Sequence, residues 1–285
     1  MEAVIRISGS GDAAALKALR ASCFPEDGLL SEEAYAPGGA VVTESDGTLV
    51  SAAPLLYPGE AVFGDGKRVL CASVGAACTR EPYRGRSYAS KELSAAVFQG
   101  FGMGAPVVVT RPRMEAQFAF CGAGAGFSDF FYAARAEFER KQVQNRAAVW
   151  SDAGAEEYGE VRERLLAGRF HIRLCDRFLS GLLDACVRSG GGLLLDAGGK
   201  PGCAAVRLSG SEAEVTELLA APEETERAVA AVAARFPAER YTVLTPTDQD
   251  HCFGILTRYA MAVGDGSVSL LRDPAALPWY GPLME

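Results

Sequence analysis

The strand and helix signals in the first half of the chain recur in the same order in the second half. One predicted strand pair is joined by Asp46-Gly47, and a similar pair is joined by a turn through Gly198, Gly199 and Lys200. An Asp-Gly pair between apolar runs is typical of a hairpin, because both turn positions accept a positive φ. In each half a further strand, a helix and a short apolar strand follow. The recurrence predicts two related units in tandem.

Strands and helices mixed in this order favour an α/β fold, in which each unit is a twisted mixed sheet flanked by helices. We predict two domains, at residues 1–138 and 139–285. In the first, strands are expected at 40–44, 48–56, 68–79, 106–110 and 128–139, and a helix at 91–100. In the second, helices are expected at 156–166, 173–187 and 223–236, and strands at 192–196, 202–208, 214–219 and 241–245. The glycine-rich run at 120–126 argues against a regular helix there.

Composition excludes several classes of function. A net charge of -8 argues against binding to nucleic acid or to an anionic membrane, since both need a basic face. The apolar runs are shorter than the ~20 residues that span a bilayer, and the N-terminus lacks a secretory pattern, so we expect a cytoplasmic protein. The 8 cysteines form no C-x-x-C pair and the 2 histidines are isolated, which predicts free thiols and no metal site.

The segment with the most chemical information is a strand that runs into a basic turn. The strand 74–79 carries no charge, and the turn after it contains Pro82 and then Arg84-Gly85-Arg86-Ser87-Tyr88-Ala89 before the helix. Small residues let a ligand approach the backbone, and the N–H groups of a first helical turn attract an anion. Four cations surround the turn against two acids: Arg80, Arg84, Arg86 and Lys91 against Glu81 and Glu92. This pattern favours a phosphate or pyrophosphate ligand.

This segment resembles the acetyl-CoA motif of the GNAT N-acetyltransferases, Arg/Gln-x-x-Gly-x-Gly/Ala, with Arg84 first and Ala89 last. The strand before it resembles the family's splayed strand, and the whole chain loosely resembles the two-domain bacterial members related to the enhanced intracellular survival acetyltransferases. The resemblance implies an acetyl-CoA-dependent transfer to a small-molecule amine by direct attack, without a metal. It implies a cofactor site made of Val74, Gly75, Ala76, Ala77, Cys78, Arg80, Arg84, Gly85, Arg86, Ser87, Tyr88 and Ala89.

Two departures from the family pattern stand out. Ser87 replaces the usual glycine of the motif, and Gly122 stands where the family often has the tyrosine that protonates the leaving thiolate. Asp65, Glu81 and Asp129 are the acidic candidates for a base, and the sequence singles out none of them. The catalytic residues are therefore left unassigned.

The corresponding turn of the second unit, Ala220 to Glu226, carries three carboxylates and no glycine. It would repel pyrophosphate, so we expect a degenerate copy that shapes the acceptor cleft. Three functions stay open: an N-acetyltransferase, a non-catalytic acyl-CoA-binding protein, and a scaffold that binds no CoA. The acceptor stays open among aminoglycosides, polyamines, amino acids and peptide N-termini. The oligomeric state is open too, a homo-oligomer included.

Overall fold

The computed structural model describes residues 3–24, 32–75, 77–143, 149–198, 200–247 and 252–282. The first half of the chain contains β1 (Val4–Ile7), α1 (Ala13–Cys23), β2 (Ala40–Ser45), β3 (Thr48–Val62), β4 (Arg68–Val74), β5 (Cys78–Thr79), α2 (Tyr88–Gly102), β6 (Val107–Thr110), α3 (Glu115–Ala125) and β7 (Ser128–Glu139). The second half contains β8 (Trp150–Asp152), α4 (Ala155–Leu165), β9 (His171–Leu174), α5 (Asp176–Arg188), β10 (Gly192–Asp196), β11 (Gly202–Ser209), β12 (Glu212–Ala220), α6 (Thr225–Arg235), β13 (Arg240–Thr245) and β14 (Ile255–Gly264).

The strands form one mixed sheet with helices packed on it. The order across the sheet is β1-β2-β3-β4-β6-β14-β7-β13-β12-β11-β10-β8, with β5 and β9 also paired to β3. Both expected hairpins are present, as β2 with β3 and as β10 with β11. The pairs β4 with β6 and β12 with β13 are parallel, and the other pairs are antiparallel. The α/β prediction is confirmed, and the two halves repeat one strand order.

The two halves exchange their last strands. β14 comes from the end of the chain but lies between β6 and β7, and β7 in turn pairs with β13. The predicted domain limit at residues 138 and 139 falls where β7 ends, so the sheet runs without interruption across the two predicted units. Sequence patterns missed β14 because bulges between Arg258 and Met261 interrupt its alternation.

Two local predictions were wrong. The glycine-rich segment is helical, because the missing side chains let α3 pack tightly on α2: a Cβ built on Gly124 would lie 3.1 Å from the Ser90 hydroxyl. The helix expected at 173–187 starts at Asp176, since residues 171–174 form β9 beside β3. Gly59 of β3 admits this close pairing, because a Cβ there would lie 2.0 Å from the Arg173 carbonyl oxygen.

A buried ionic cluster anchors the second half. Glu217 on β12 is fully buried and accepts hydrogen bonds from Arg162 Nε at 2.9 Å, from Trp279 Nε1 at 2.5 Å and from the Tyr158 hydroxyl. Arg162 is itself 1% exposed and also donates to the Ile172 carbonyl at 2.9 Å. The cluster thereby fastens α4 and the C-terminal segment around Trp279 to the sheet.

Replacing Glu217 by alanine should lower the free energy of unfolding by about 3–5 kcal/mol, because the buried Arg162 charge then keeps, among the described residues, only the partly exposed Glu163 as an ionic partner. The matched control is Glu212→Ala, which breaks an exposed pair with Arg240 and should cost less than about 1 kcal/mol. Urea denaturation measures both. Equal losses in the two variants would contradict the role given to the buried cluster.

Candidate functional site

The parallel pairing of β4 with β6 ends at Ser73, whereas the pairing of the same chain with β3 continues through Val74 into β5. The last pair in register is Ser73 with Val109, whereas β5 pairs with β3 through Cys78 and Ala52. The Thr110 hydroxyl donates to the Val74 carbonyl at 2.9 Å, and the Gly75 amide donates to the Pro54 carbonyl at 3.0 Å. The expected strand 68–79 is thus broken into β4 and β5, and β5 diverges from β6 without pairing to it. Of the predicted cofactor residues on the expected strand, Ala76 lies outside the described residues.

The turn between β5 and α2 holds two residues in the left-handed region. Gly85 has φ +77° and Ser87 has φ +60°, directly before Tyr88 begins the helix. Asp46 and Ser87 are the non-glycine residues with positive φ in the part of the chain that the structure describes. Such a conformation costs a non-glycine residue roughly 1–2 kcal/mol. Ser87, which stands at a glycine position of the motif, therefore adopts a left-handed conformation that glycine adopts without this cost. No side chain caps the first turn of α2.

The cations around this turn point at backbone rather than at acids. Arg80 Nε donates to the Leu49 carbonyl and Arg84 Nε to the Thr79 carbonyl, each at 3.1 Å. Arg86 donates to the Pro82 carbonyl at 3.3 Å. Among the described residues none of the three forms an ion pair with a carboxylate. The exposed turn at 84–87 therefore keeps its positive charge, and the N-terminus of α2 adds to it.

Glu92, which the sequence suggested as a competing surface charge, is fully buried beneath the turn. It accepts hydrogen bonds from the Thr43 hydroxyl at 2.5 Å and the Ser51 hydroxyl at 2.7 Å. Ser51 also contacts the Cys78 carbonyl oxygen at 3.1 Å. Burial raises the pKa of the Glu92 carboxyl to about 7. The carboxyl thus links α2 to the strand before the turn through β2 and β3. In the sequence, the signal for this role is that Glu92 lies on the buried face of the helix.

Cys78 is unsuited to act as a nucleophile. Its side chain is 7% exposed in the core, and burial, with the nearby Cys23, raises the pKa of the thiol to about 12. At neutral pH the thiol is therefore protonated and inert. All 8 cysteines are free, as the sequence predicts.

The acidic candidates for a base lie away from the break in β4. Asp65 accepts from the Lys67 amide in the turn before β4, at the opposite end of that strand from Val74. Asp129 pairs with Arg258 at 3.0 Å, and Glu81 lies on the exposed side of the basic turn. Gly122 faces the Phe127 carbonyl and brings no hydroxyl. A tyrosine that the sequence did not indicate, Tyr280, lies with its hydroxyl 3.5 Å from Ser73 Oγ.

A groove of about 840 Å³ begins where β6 ends and crosses the face of the sheet over β14, β7, β13 and β12. Arg111 and Arg113 follow β6 directly, and the Arg111 guanidinium lies 4.3 Å from the centre of the Tyr259 ring. Carboxylates line the far end, where the register sets Glu139 and Glu212 on either side of Arg240. Glu137 and Glu214 flank Thr242 in the next row. The groove is thus basic near the splayed strands and rich in acid at its far end.

In the described part of the chain, no group of three or more His, Cys, Asp or Glu residues is arranged to hold a metal ion. Nor does any helix described there combine the length and the apolar character needed to cross a membrane.

Solved structures with a similar fold are acetyltransferases of the GNAT type. A GCN5-related N-acetyltransferase from Kribbella flavida superposes with a TM-score of 0.65 and 16% identity, over 92% of this chain and 72% of that one. Eis1 from Mycobacterium abscessus gives 0.64 and 13%, over 92% and 73%. A tandem GNAT protein from the clavulanic acid biosynthesis pathway gives 0.51 and 12%, over 94% and 100%. No protein-family model matches the sequence, and no curated protein matches it. The chain therefore has the tandem GNAT fold. Sequence identities of 12–16% show a shared fold and do not show a shared activity.

The buried Glu92 carboxyl predicts a pH-dependent stability. Its folded pKa of about 7 lies above the ordinary 4.5, so its contribution is most favourable below pH 4.5 and is lost as the pH rises towards 7. Glu92→Gln, which removes this titration, should gain about 3 kcal/mol in free energy of unfolding relative to the wild type between pH 4.5 and pH 8.

Urea denaturation at several pH values measures this difference, with Glu160→Gln as the control, since Glu160 is an exposed carboxylate on a helix. A constant difference between Glu92→Gln and the wild type across that range would show that the Glu92 carboxyl titrates normally.

Proposed function

We propose that this protein transfers an acetyl group from acetyl-CoA to a primary amine of a small molecule. The observation that carries the proposal is the combination of a splayed parallel strand pair with a left-handed, basic turn at the start of α2. Each feature supplies one half of a binding site for CoA. The side of β5 that faces β6 offers backbone groups to the amide-bearing pantetheine arm. The turn offers N–H groups and cations to the pyrophosphate.

In this proposal Gly75, Ala77 and Cys78 present backbone groups to the pantetheine arm. The amides from Gly85 to Ala89 hold the pyrophosphate, with Arg84 and Arg86 beside it. Because neither guanidinium is tied to a carboxylate, both keep N–H groups for the phosphates. The site thus holds the thioester at the break in β4, next to the basic end of the groove.

The chemistry proposed is direct attack by the amine nitrogen on the thioester carbonyl. The new C–N bond forms, the C–S bond breaks, and the amine proton leaves as the CoA thiolate takes one up. Backbone N–H groups freed by the strand break stabilise the oxyanion. An acyl-enzyme on Cys78 is disfavoured because its thiol is buried and protonated. Positioning of the two reactants supplies the larger part of the rate enhancement.

The groove is the proposed route of the acceptor. Its basic end, at Arg111, lowers the pKa of a nearby ammonium and so favours the neutral amine that attacks. Its acidic end attracts a second positive charge on the same molecule. Glu214 is exposed there and forms no ion pair among the described residues, whereas Glu137 and Glu212 pair with Arg135 and Arg240. The groove therefore favours an acceptor with more than one basic nitrogen.

One observation favours a second candidate, a protein that binds acyl-CoA without catalysis. Gly122 supplies no phenol beside the leaving thiolate. Calorimetry that detects acetyl-CoA binding, with no CoA release across a panel of polyamines, aminoglycosides, amino acids and peptides, would establish that alternative.

Arg84→Glu should weaken acetyl-CoA binding at least tenfold, because it places a carboxylate beside the pyrophosphate and removes a phosphate-binding cation. Isothermal titration calorimetry measures the change. Arg207→Glu, an equal charge reversal on the exposed edge of β11, serves as the control and should leave the affinity unchanged. Equal affinities for wild type and Arg84→Glu would place the cofactor elsewhere.

For an amine found by the CoA-release panel, Glu214→Gln should raise the KM for that amine about threefold, as expected for loss of an exposed charge pair. The KM for acetyl-CoA and kcat should not change, because Glu214 lies at the far end of the groove. Steady-state kinetics measure all three constants, with Glu160→Gln as the control. An unchanged amine KM would remove the groove from the acceptor path.

A further inference from the structure

The second half carries its own cleft at the position that corresponds to the splayed strands of the first half. It measures about 540 Å³, within the size range of small-molecule pockets. The end of β12, the start of α6 and the residues after β13 form its walls. The lining is mostly apolar and includes Leu218, Ala221, Pro222 and Phe253. No step of the proposed acetyl transfer uses this cleft.

Thr245 points to a ligand in this cleft. It lines the cleft, is 6% exposed, and its hydroxyl has no hydrogen-bond partner among the residues that the structure describes. Its counterpart in the first half, Thr110, is satisfied by the Val74 carbonyl at 2.9 Å. A buried hydroxyl without a partner costs about 1–3 kcal/mol, and a ligand atom within the cleft would recover this energy.

The surroundings of the cleft disfavour phosphate. Glu223 and Glu224 lie in the turn before α6, and Glu226 lies in the first turn of that helix. Glu224 is paired with Lys200 and Arg227, which engages both of these cations. The backbone of the turn lies at negative φ at Ala221, Glu224 and Thr225, unlike the left-handed turn of the first half. The one cation in the lining, Arg169, already donates to the carbonyls of Thr247 and Leu277, each at 2.7 Å. The described lining therefore suits a negatively charged ligand less well than the basic turn of the first half does.

We propose that the cleft between β12 and β13 is a second small-molecule site, for an uncharged ligand with an apolar body and a carbonyl oxygen that accepts a hydrogen bond from Thr245. The site is independent of the acetyl transfer, since its lining shares no residue with the basic turn or with the splayed strand. The duplicated fold thus provides two clefts, one for a phosphate-bearing ligand and one for a neutral ligand.

The test uses prodan, a neutral naphthalene with one carbonyl group, whose emission shifts to the blue in apolar surroundings. The full-length protein is titrated with prodan in the presence of excess CoA. We expect saturable binding at one site. Thr245→Val keeps the shape and removes the hydroxyl, so it should weaken binding three- to tenfold, about the worth of one hydrogen bond. Ala221→Trp, which fills the cleft, should abolish binding.

Two controls separate this cleft from the rest of the molecule. Thr257→Val removes a hydroxyl from the large groove and should leave prodan affinity unchanged. The anionic probe 1-anilinonaphthalene-8-sulfonate should bind at least tenfold more weakly than prodan. Circular dichroism checks that each variant is folded, and Thr245→Val decides the matter if Ala221→Trp does not fold. Prodan affinity unchanged in Thr245→Val, or displacement of prodan by CoA, would overturn the proposal.

Discussion

The parting of β4 from β6 is the feature on which the rest of the candidate site depends. Buried backbone groups need partners, and the ladder that supplies them ends at Ser73. Two hydrogen bonds supply partners at the break. The Thr110 hydroxyl donates to the Val74 carbonyl, and the Gly75 amide donates to the Pro54 carbonyl. Beyond Ser73 the chain keeps β3 as its partner and loses β6. In the proposed function, backbone groups on this side bind the cofactor.

The basic turn is connected to this strand by a buried carboxyl as well as by the exposed hydrogen bond from Arg84 to the Thr79 carbonyl. Glu92 accepts hydrogen bonds from Thr43 on β2 and Ser51 on β3, and Ser51 also contacts the Cys78 carbonyl oxygen. Hydrogen bonds therefore join α2 to the strand that precedes the turn. Burial of an ionisable group at this place carries a cost in stability, which is common where a fold positions a functional segment.

The two halves have the same strand order but carry opposite charges at the corresponding turn. In the first half the strand parts, and positive φ and arginines follow it. In the second half β12 likewise parts from β13 after Val215, but the register sets the buried Glu217 where the first half has Val74. Arg162 and Trp279 then fix that carboxylate. The two halves thus share one strand order and differ in the charged residues beside it.

Local signals in the sequence predicted those elements whose stability is local. The Asp-Gly turn at residue 46 marks the first hairpin, and a run of aromatic residues marks β7, whose bounds agree with the prediction. Elements that depend on distant partners were missed. β14 is stabilised by pairing with both β6 and β7. β9 can pair with β3 because Gly59 has no Cβ to collide with it. Glu92 reads as a surface charge until Thr43 and Ser51 are brought to it across the fold. The Arg84–Ala89 motif was found because it is contiguous, whereas Tyr280 reaches Ser73 from the other end of the chain.

Amide hydrogen exchange with and without acetyl-CoA tests the central claim most directly. The account predicts that the cofactor slows exchange at Ala77 and in the first turn of α2, and leaves the corresponding turn before α6 unchanged. Protection confined to the second half, or no change in the first, would contradict it.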